Sequence, residues 1–328
     1  MPLTPHPIRW ALCFGALLVV CPAGAQLKEA VPASEATRYG EAVSGQFQVG
    51  AEITASRGAV RDIQAMVAVP LECDEQQVTI AEEDFSSEVE KVEYRTLPGG
   101  GARQMVIKIP YLAANATARA VVTFNVTTRT VLPPEDDQAA KLRIPPKPPR
   151  ELRKYLAASP YIESRHSSLK RLTRDALKDA DEGLTDWQRV ELLYDQMLDT
   201  IEYLEGPDKS ALDTIRDGNA DCHGRSAVFI ALCRAAGVPA RVVWVNNHCY
   251  AEFYLEDESG EGQWFPAESA GSRAFGEMPL ARVILQKGDN FRVPERPRDK
   301  LRYASDFMVG TPVKGAGQPK ARFIREQL

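Results

Sequence analysis

The sequence predicts an α+β protein: an N-terminal antiparallel β-sandwich, followed by a domain in which helices pack on a second antiparallel sheet. Two changes of pattern carry this prediction. From residue 45 to about residue 129, apolar and polar residues alternate with a period of two, which is typical of strands with one buried face. From about residue 165 the apolar residues recur at helical spacing, and three strand-like runs follow the last helix.

The first half contains short strand-like runs that are separated by turn sequences such as LPGGGA at 97–102. The clearest alternation involves the apolar residues Phe47, Val49, Ala51, Ile53, Met105, Ile107, Ile109, Val122, Phe124 and Val126. These runs contain no cluster of acid, base and nucleophile. We therefore expect this half to have a structural or binding role.

The N-terminus has the order of a secretory signal peptide. A segment with one arginine precedes the apolar run ALCFGALLVV, and Ala23 and Ala25 then provide a small-residue cleavage site. We expect cleavage after Ala25 and hence a periplasmic or secreted protein. The apolar run is too short for a permanent anchor, and no other segment could cross a bilayer.

These features divide the chain into four parts. Residues 1–25 are the signal peptide, 26–132 the sandwich, 133–150 a Pro-rich linker, and 151–328 the second domain with a C-terminal extension. The composition of the linker predicts extended, exposed backbone. The formal net charge of −5 argues against a nucleic-acid partner, because such proteins need a basic surface.

The second domain is predicted to place helices before a sheet. The segment TDWQRVELLYDQMLDTIEY opens with a capping box, in which Gln188 follows Thr185 by three residues. The segment CHGRSAVFIALCRAAG is typical of a buried helix that ends at Gly237. The runs ARVVWV, HCYAEFYLE and QWFPAES then predict three strands, of which the last two form a hairpin.

Cys222 lies where an irregular loop becomes the buried helix. Unpaired N–H groups give a helix start a partial positive charge, which lowers the pKa of a thiol and can hold an oxyanion. A nucleophile needs both effects, so Cys222 is the candidate nucleophile. Cys233 falls in the apolar interior of the helix and is expected to be a core residue, and Cys73 is a strand cysteine without an evident partner.

Three histidines remain after signal cleavage as candidates for the base. His223 neighbours Cys222 on the helix, so its side chain should point about 100° away. His166 lies far upstream, before a surface helix. His248 opens a strand of the sheet that must pack against the Cys222 helix, so we expect His248 to be the base.

A third group should orient the imidazole. In an antiparallel hairpin, Glu268 at the end of the next strand lies beside the start of the His248 strand. Glu252 is the competing carboxylate, but it lies about 13 Å along the His248 strand. The candidate catalytic set is therefore Cys222, His248 and Glu268.

Two other chemistries are open to these cysteines. The adjacent pairs Cys222-His223 and His248-Cys249 offer four soft metal ligands. However, neighbours on a strand point to opposite faces and zinc ligands normally have spacers between them, so we expect neither a metal nor a cofactor. A disulfide between Cys233 and Cys249 suits an exported protein, but it requires the far face of the strand to meet the helix interior.

The segment DCHGRSAVFIALCRAAGVPARVV, followed by HCYAEFYL and WFPAES, resembles the transglutaminase-like superfamily, whose core is related to papain-like cysteine proteases. The matching positions are Cys222, RAAGVPAR at 234–241, His248, Trp264 and Pro266. The resemblance covers roughly residues 155–270 and implies a Cys-bearing helix packed on an antiparallel sheet, with a Cys-His-Asp triad. Here Glu268 stands at the Asp position, and HCY replaces the usual His-Ala-Trp.

The resemblance implies acyl transfer, or hydrolysis of an amide or peptide bond, through a thioester on Cys222. The partner is then a protein or peptide substrate. Some members of the superfamily have lost activity and serve as interaction modules, so a non-catalytic scaffold in the cell envelope is the alternative. Intact Cys222 and His248 favour an enzyme, whereas Glu268 in place of Asp favours the scaffold.

Overall fold

Two antiparallel sheets form the first part of the structure. The computed structural model describes residues 38–178 and 183–328, so the expected signal peptide at 1–25 lies outside the described residues. The first six strands are β1 Arg38–Thr54, β2 Val60–Val69, β3 Gln76–Phe85, β4 Lys91–Thr96, β5 Arg103–Leu112 and β6 Thr117–Leu132. Strands β1, β6 and β3 lie side by side in one sheet, and β2, β5 and β4 in the other.

The predicted alternation explains how these two sheets pack. Phe47, Val49 and Ile53 of β1 are buried, whereas Gln48 and Glu52 between them are only partly covered. The buried side chains join apolar residues of β2 and β5 in one core. The prediction of an N-terminal antiparallel sandwich is therefore confirmed.

Helices and a two-stranded ribbon follow the sandwich strands. Their bounds are α1 Asp136–Ala139, α2 Arg150–Arg153, a 3₁₀ helix Lys154–Leu156, α3 Ser167–Ala176, α4 Asp186–Thr200, β7 Glu202–Tyr203, α5 Ala211–Asp217, β8 Asn219–Ala220 and α6 Cys222–Ala235. Helix α4 begins at the predicted capping box, where Thr185 and Gln188 exchange side-chain and backbone hydrogen bonds. None of the helices within the described residues has the length and apolarity needed to cross a membrane.

The second domain contains a sheet of five antiparallel strands, hereafter the second sheet, which packs against α6. Its strands are β9 Ala240–Val245, β10 His248–Glu256, β11 Gly262–Glu268, β12 Ala274–Phe275 and β13 Ile284–Lys287, in the order β12–β11–β10–β9–β13. Phe229 of α6 packs edge-on against Phe253 of β10, with 6.3 Å between the ring centroids. Helices α3, α4 and α5 cover the rest of α6. The predicted α+β class is therefore confirmed.

The last strands of the chain return to the sandwich. After the ribbon of β14 Phe291–Val293 and β15 Arg296–Leu301, β16 Phe307–Pro312 pairs with β2, and β17 Lys320–Gln327 pairs with β1. Phe323 of β17 lies opposite Ala51 and packs on the sandwich core. The sequence predicts the second domain with a C-terminal extension over 151–328, and in the structure the last strands of this range, β16 and β17, lie in the sandwich sheets. Such pairing between distant segments leaves no trace in local periodicity.

The Pro-rich segment 133–150 is fastened to the second domain. It contains α1, and its Leu142 is buried in the core around α6. The N–H of Arg143 donates to the carbonyl oxygen of Glu256 at 2.7 Å, and the Glu256 N–H donates back at 2.8 Å. Only parts of this segment therefore have the extended, exposed backbone that its composition predicts.

A buried glutamine joins the sandwich to the second sheet. The side-chain amide of Gln76 donates to the carbonyl oxygens of Leu71 at 2.7 Å and Ile284 at 2.8 Å, and its Oε1 accepts from the Ile284 N–H at 2.7 Å. Each of these polar groups would be left unpaired if the two parts shifted, and burial makes that costly. The Gln76 contacts therefore fix the position of β13 relative to β3.

Replacing Phe323 by Ala is expected to destabilise the protein by about 2–3 kcal/mol, because the ring packs on the sandwich core and its loss leaves a void. Arg322→Ala is the matched control on the same strand. Its partner Glu52 lies at the surface, so the loss should be less than about 1 kcal/mol. Urea denaturation followed by circular dichroism measures both, and equal losses would contradict the packing of β17 on the core.

Candidate active site

Cys222 is the first residue of α6, and Asp221 caps that helix. The Asp221 Oδ1 accepts hydrogen bonds from the N–H groups of His223 at 3.0 Å and Gly224 at 3.2 Å. Two donors of the helix start are thereby used, whereas the Cys222 N–H has no acceptor among the described residues. The Cys222 residue is 7% exposed, so its thiol interacts mainly with protein groups.

Gly224 allows the first turn of α6 to lie close to the segment that precedes it. A Cβ at this position would come within 2.4 Å of the Ala220 Cβ and 2.5 Å of the Thr214 Oγ1. Thr214 belongs to α5, which therefore approaches α6 more closely than a side chain would allow. This contact fixes the turn that carries Cys222.

His248 and Glu268 meet at the ends of neighbouring strands. His248 is the first residue of β10 and Glu268 the last of β11, and these strands pair antiparallel. The His248 Nε2 lies 2.8 Å from Glu268 Oε2 and 3.0 Å from Oε1. The Nε2–H group donates to the carboxylate, which leaves Nδ1 for the Cys222 thiol.

The backbone around Glu268 holds its carboxylate in place. Its Oε1 also accepts from the N–H groups of Ser269 at 2.8 Å and Ala270 at 2.9 Å. The Tyr194 hydroxyl donates to the Glu268 carbonyl oxygen. The extra methylene of Glu relative to Asp is therefore accommodated with a fixed carboxylate, which can keep the His248 ring in one orientation.

The competing carboxylate belongs to a different cluster. The Glu252 Oε2 accepts from Arg241 Nε at 2.7 Å, and its Oε1 accepts from Lys287 Nζ at 2.9 Å. Lys287 also pairs with Glu75 of the sandwich. Glu252 thus takes part in a buried charge network between the second sheet and the sandwich, and it is not the partner of His248.

His223 does not point away from Cys222 as expected. Its Nδ1 lies 4.0 Å from the Cys222 Sγ, 3.0 Å from Asp221 Oδ2 and 2.8 Å from Asp208 Oδ1. The spacing of 100° describes where side chains leave the helix, whereas the ring rotates back towards two carboxylates. The order Asp-Cys-His is the available signal, because it places a capping carboxylate beside the imidazole.

The surroundings favour the ionised thiol of Cys222. Hydrogen bonding from the Cys249 thiol lowers the pKa of Cys222 most, and contacts with His223 and His248 lower it further against the opposing effect of burial. Burial alone would lower the pKa of both imidazoles. Hydrogen bonding to the thiolate and to a carboxylate outweighs burial and raises the pKa of each histidine to about 9. These shifts favour a thiolate beside two imidazolium ions at neutral pH.

Cys222 Sγ, His223 Nδ1 and Cys249 Sγ lie within 4.8 Å of one another, so the spacing argument from the sequence does not keep them apart. Asp208, Asp221 and His223 form a second group of this kind. We assign the His223 Nδ1 as a proton donor to the two carboxylates that face it, which leaves this nitrogen no lone pair for a metal ion. Cys249 is a free thiol, as are the other described cysteines.

Comparison with known protein families agrees with this arrangement. Residues 170–269 match the model of the transglutaminase-like superfamily. This segment is a transglutaminase-like domain. The matched range begins within α3 and includes Cys222, His248 and Glu268, and the resemblance drawn from the sequence is confirmed. No curated protein sequence matches the chain significantly.

Two solved structures match this chain. The crystal structure of a proposed cysteine protease from Cytophaga hutchinsonii is 20% identical, covers 88% of this chain and 92% of its own, and has a TM-score of 0.56. At this identity the likeness shows a shared fold over most of the chain. A proposed protease from Parabacteroides distasonis is 11% identical and covers 73% of this chain and 68% of its own. Its TM-score of 0.25 is too low to indicate a shared fold.

Gly224→Ala should destabilise the protein by about 1–3 kcal/mol and slow alkylation of Cys222, because the added methyl group displaces the first turn of α6. Gly206→Ala is the matched control, since a Cβ at that position meets no atom within 4 Å. Thermal unfolding and the rate of alkylation measure the two effects. A Gly224→Ala protein as stable and as reactive as wild type would show that the turn can accommodate a methyl group without moving.

Cys222 is expected to react with iodoacetamide below pH 7, ahead of Cys73, Cys233 and Cys249. Its thiolate is stabilised, whereas burial raises the pKa of the other three thiols. Labelling of the native protein across pH, followed by peptide mapping, measures the order, and denatured protein should label at all four. Failure of Cys222 to label in the native protein between pH 6 and 8 would contradict a stabilised thiolate.

Proposed function

We propose that the transglutaminase-like domain is a cysteine-dependent hydrolase or acyltransferase, which acts on amide bonds of a protein or peptide through a thioester on Cys222. One observation carries this proposal. The Cys222 thiol lies at the start of a capped helix, its pKa is lowered by groups that include His248, and the His248 Nε2 donates to the buried carboxylate of Glu268. Nucleophile, base and orienting group are thus in one place, as acyl transfer through a thiol requires.

The first half-reaction forms the thioester. The Cys222 thiolate attacks the carbonyl carbon, a C–S bond forms, and the carbonyl oxygen becomes an oxyanion. The Cys222 N–H at the helix start is available as a donor to that oxyanion. The His248 imidazolium then gives its Nδ1 proton to the leaving nitrogen, the C–N bond breaks, and the amine departs.

The second half-reaction releases the acyl group. Neutral His248 takes a proton from a water molecule or an amine as that molecule attacks the thioester. The C–S bond breaks, the thiolate returns, and His248 is again an imidazolium. Water as the acceptor gives hydrolysis, and an amine gives a new amide bond. Throughout, Glu268 keeps the His248 ring in register and stabilises its charge.

We place this activity in the periplasm or outside the cell, on the strength of the signal-peptide pattern at residues 1–25. The substrate class follows from the chemistry, because a thiol nucleophile with an imidazolium acid suits amide bonds of peptides and of glutamine side chains. The likeness to a proposed cysteine protease extends to the fold and agrees with this class.

The proposal is tested by amine release and peptide cleavage on a panel of glutamine-containing peptides, with Cys222→Ala as the blank. Wild type should exceed the blank on at least one peptide, and mass spectrometry should find an acyl adduct on Cys222. If wild type matches the blank across the panel and carries no adduct, the domain is the non-catalytic scaffold instead.

Glu268→Gln should lower the rate by about 10–10³-fold while the protein remains folded, because the neutral amide no longer stabilises the imidazolium. Loss of the corresponding Asp in serine triads costs about 10⁴-fold, and a preformed thiolate–imidazolium pair depends on the third group less. Glu268→Asp keeps the charge and should retain more activity than Gln. Rates on the best peptide decide, and a Glu268→Gln enzyme as fast as wild type would remove Glu268 from the triad.

A further inference from the structure

A second histidine with its own carboxylates flanks the nucleophile. The His223 Nδ1 lies 2.8 Å from Asp208 Oδ1 and 3.0 Å from Asp221 Oδ2, and the same nitrogen is 4.0 Å from the Cys222 Sγ. The triad proposed above leaves this group unused. Its position beside the reacting sulfur nevertheless means that any charge on the ring acts directly on the thiolate.

The groups around His223 make it a cation. Asp208 comes from the loop before α5 and Asp221 from the helix cap, and the thiolate is the third anion that faces the ring. Arg302, which follows β15, forms an ion pair with Asp208. Its guanidinium carbon lies 5.3 Å from the centroid of the Trp244 ring. The Trp244 ring from β9 lies 5.5 Å from the His223 ring, and the Cys249 thiol from β10 lies close to His223 as well. His248, also from β10, acts on the Cys222 sulfur.

The charges around His223 favour the protonated form of its ring. Three anions face His223, and the nearest guanidinium is directed at Asp208 rather than at the imidazole. Opposite charges within about 4–6 Å favour the charged form of a titrating group. The raised pKa of His223, which the thiolate and Asp221 cause against the effect of burial, agrees with this reading.

We propose that His223 is a second catalytic imidazolium, which stabilises the Cys222 sulfur as an anion both before attack and when the sulfur leaves the thioester. This inference rests on the proposed function. While the thioester waits for water, His248 is neutral because it has given its proton to the amine. His223 is then the histidine that still carries charge. As the C–S bond breaks, the electron pair that returns to sulfur meets a cation already in place.

The two histidines thus have different tasks. His248 gives and takes a proton in every turnover, and one carboxylate, Glu268, faces it. His223 keeps its proton throughout, because Asp208 and Asp221 both accept from its Nδ1. It transfers no proton to the leaving amine. No bond to hydrogen forms or breaks at His223.

The decisive measurement is alkylation of Cys222 by iodoacetamide across pH, in wild type, His223→Gln and His166→Gln. His166 is an exposed histidine outside the site and serves as the matched control. The acid midpoint of alkylation should rise by about one to two pH units in His223→Gln and stay unchanged in His166→Gln. In a burst experiment with an activated acyl ester, His223→Gln should also release the acyl group about tenfold more slowly.

Asp208→Asn provides a second variant if His223→Gln does not fold. It keeps the ring but removes the negative charge of one of the two carboxylates, so the imidazolium should be lost at lower pH. Because this form is present below the pKa and disappears above it, the basic limb of the turnover profile should move down from about pH 9.

An unchanged acid midpoint in folded His223→Gln, or an unmoved basic limb in Asp208→Asn, overturns the proposal. Alkylation needs no substrate, so it separates this inference from the proposed function. Turnover by wild type with an unmoved midpoint in His223→Gln removes His223 and leaves the triad. A shifted midpoint without any turnover in wild type supports the contact and refutes the enzyme.

Discussion

The burial of α6 is the constraint on which the rest of the structure depends. All of its residues except His223 and Ala235 are buried, so the helix is enclosed by protein around almost its whole circumference. Its far end is fixed as well, since buried Arg234 donates to Asp289 at 2.6 Å and to the Ala240 carbonyl oxygen at 2.7 Å. The position of Cys222 therefore follows from core packing, and β10 and β11 bring a base and a carboxylate to a nucleophile that cannot move away.

Two acidic residues of the β10–β11 hairpin have different roles because they lie at different positions along it. Glu268 ends β11 and faces an imidazole, whereas Glu252 in the middle of β10 faces Arg241 and Lys287. With Glu75, the second cluster contains two cations and two carboxylates, so its charges balance. Breaking such a buried set by removing one member is costly, although the set as a whole contributes little net stability. Its effect is to define how the second sheet meets the sandwich, at a distance from the chemistry.

Features that depend on residues close in sequence could be predicted from the sequence. Period-two alternation around Phe47 and the apolar helix after Cys222 depend on neighbours in the chain, so both could be predicted. His248 and Glu268 could be placed because a hairpin must bring their strand ends together. The rotation of His223 was only partly predictable, because one of its partners, Asp221, is close in sequence whereas Asp208 lies on a separate loop. Strands β16 and β17 pair across more than half of the chain, and no local pattern encodes such a partner.

The pairing of β17 with β1 makes the transglutaminase-like domain an insertion within the sandwich. Arg322 of β17 binds Glu52 of β1 although the two residues are 270 positions apart. Neither sandwich sheet can reach its full width before β16 and β17 have left the ribosome, whereas the inserted domain draws on contiguous chain. Because closing long loops is slow and entropically costly, we expect the inserted domain to condense first and to bring β6 and β16 together. Pairing of β17 with β1 would then complete the sandwich as a late step of folding.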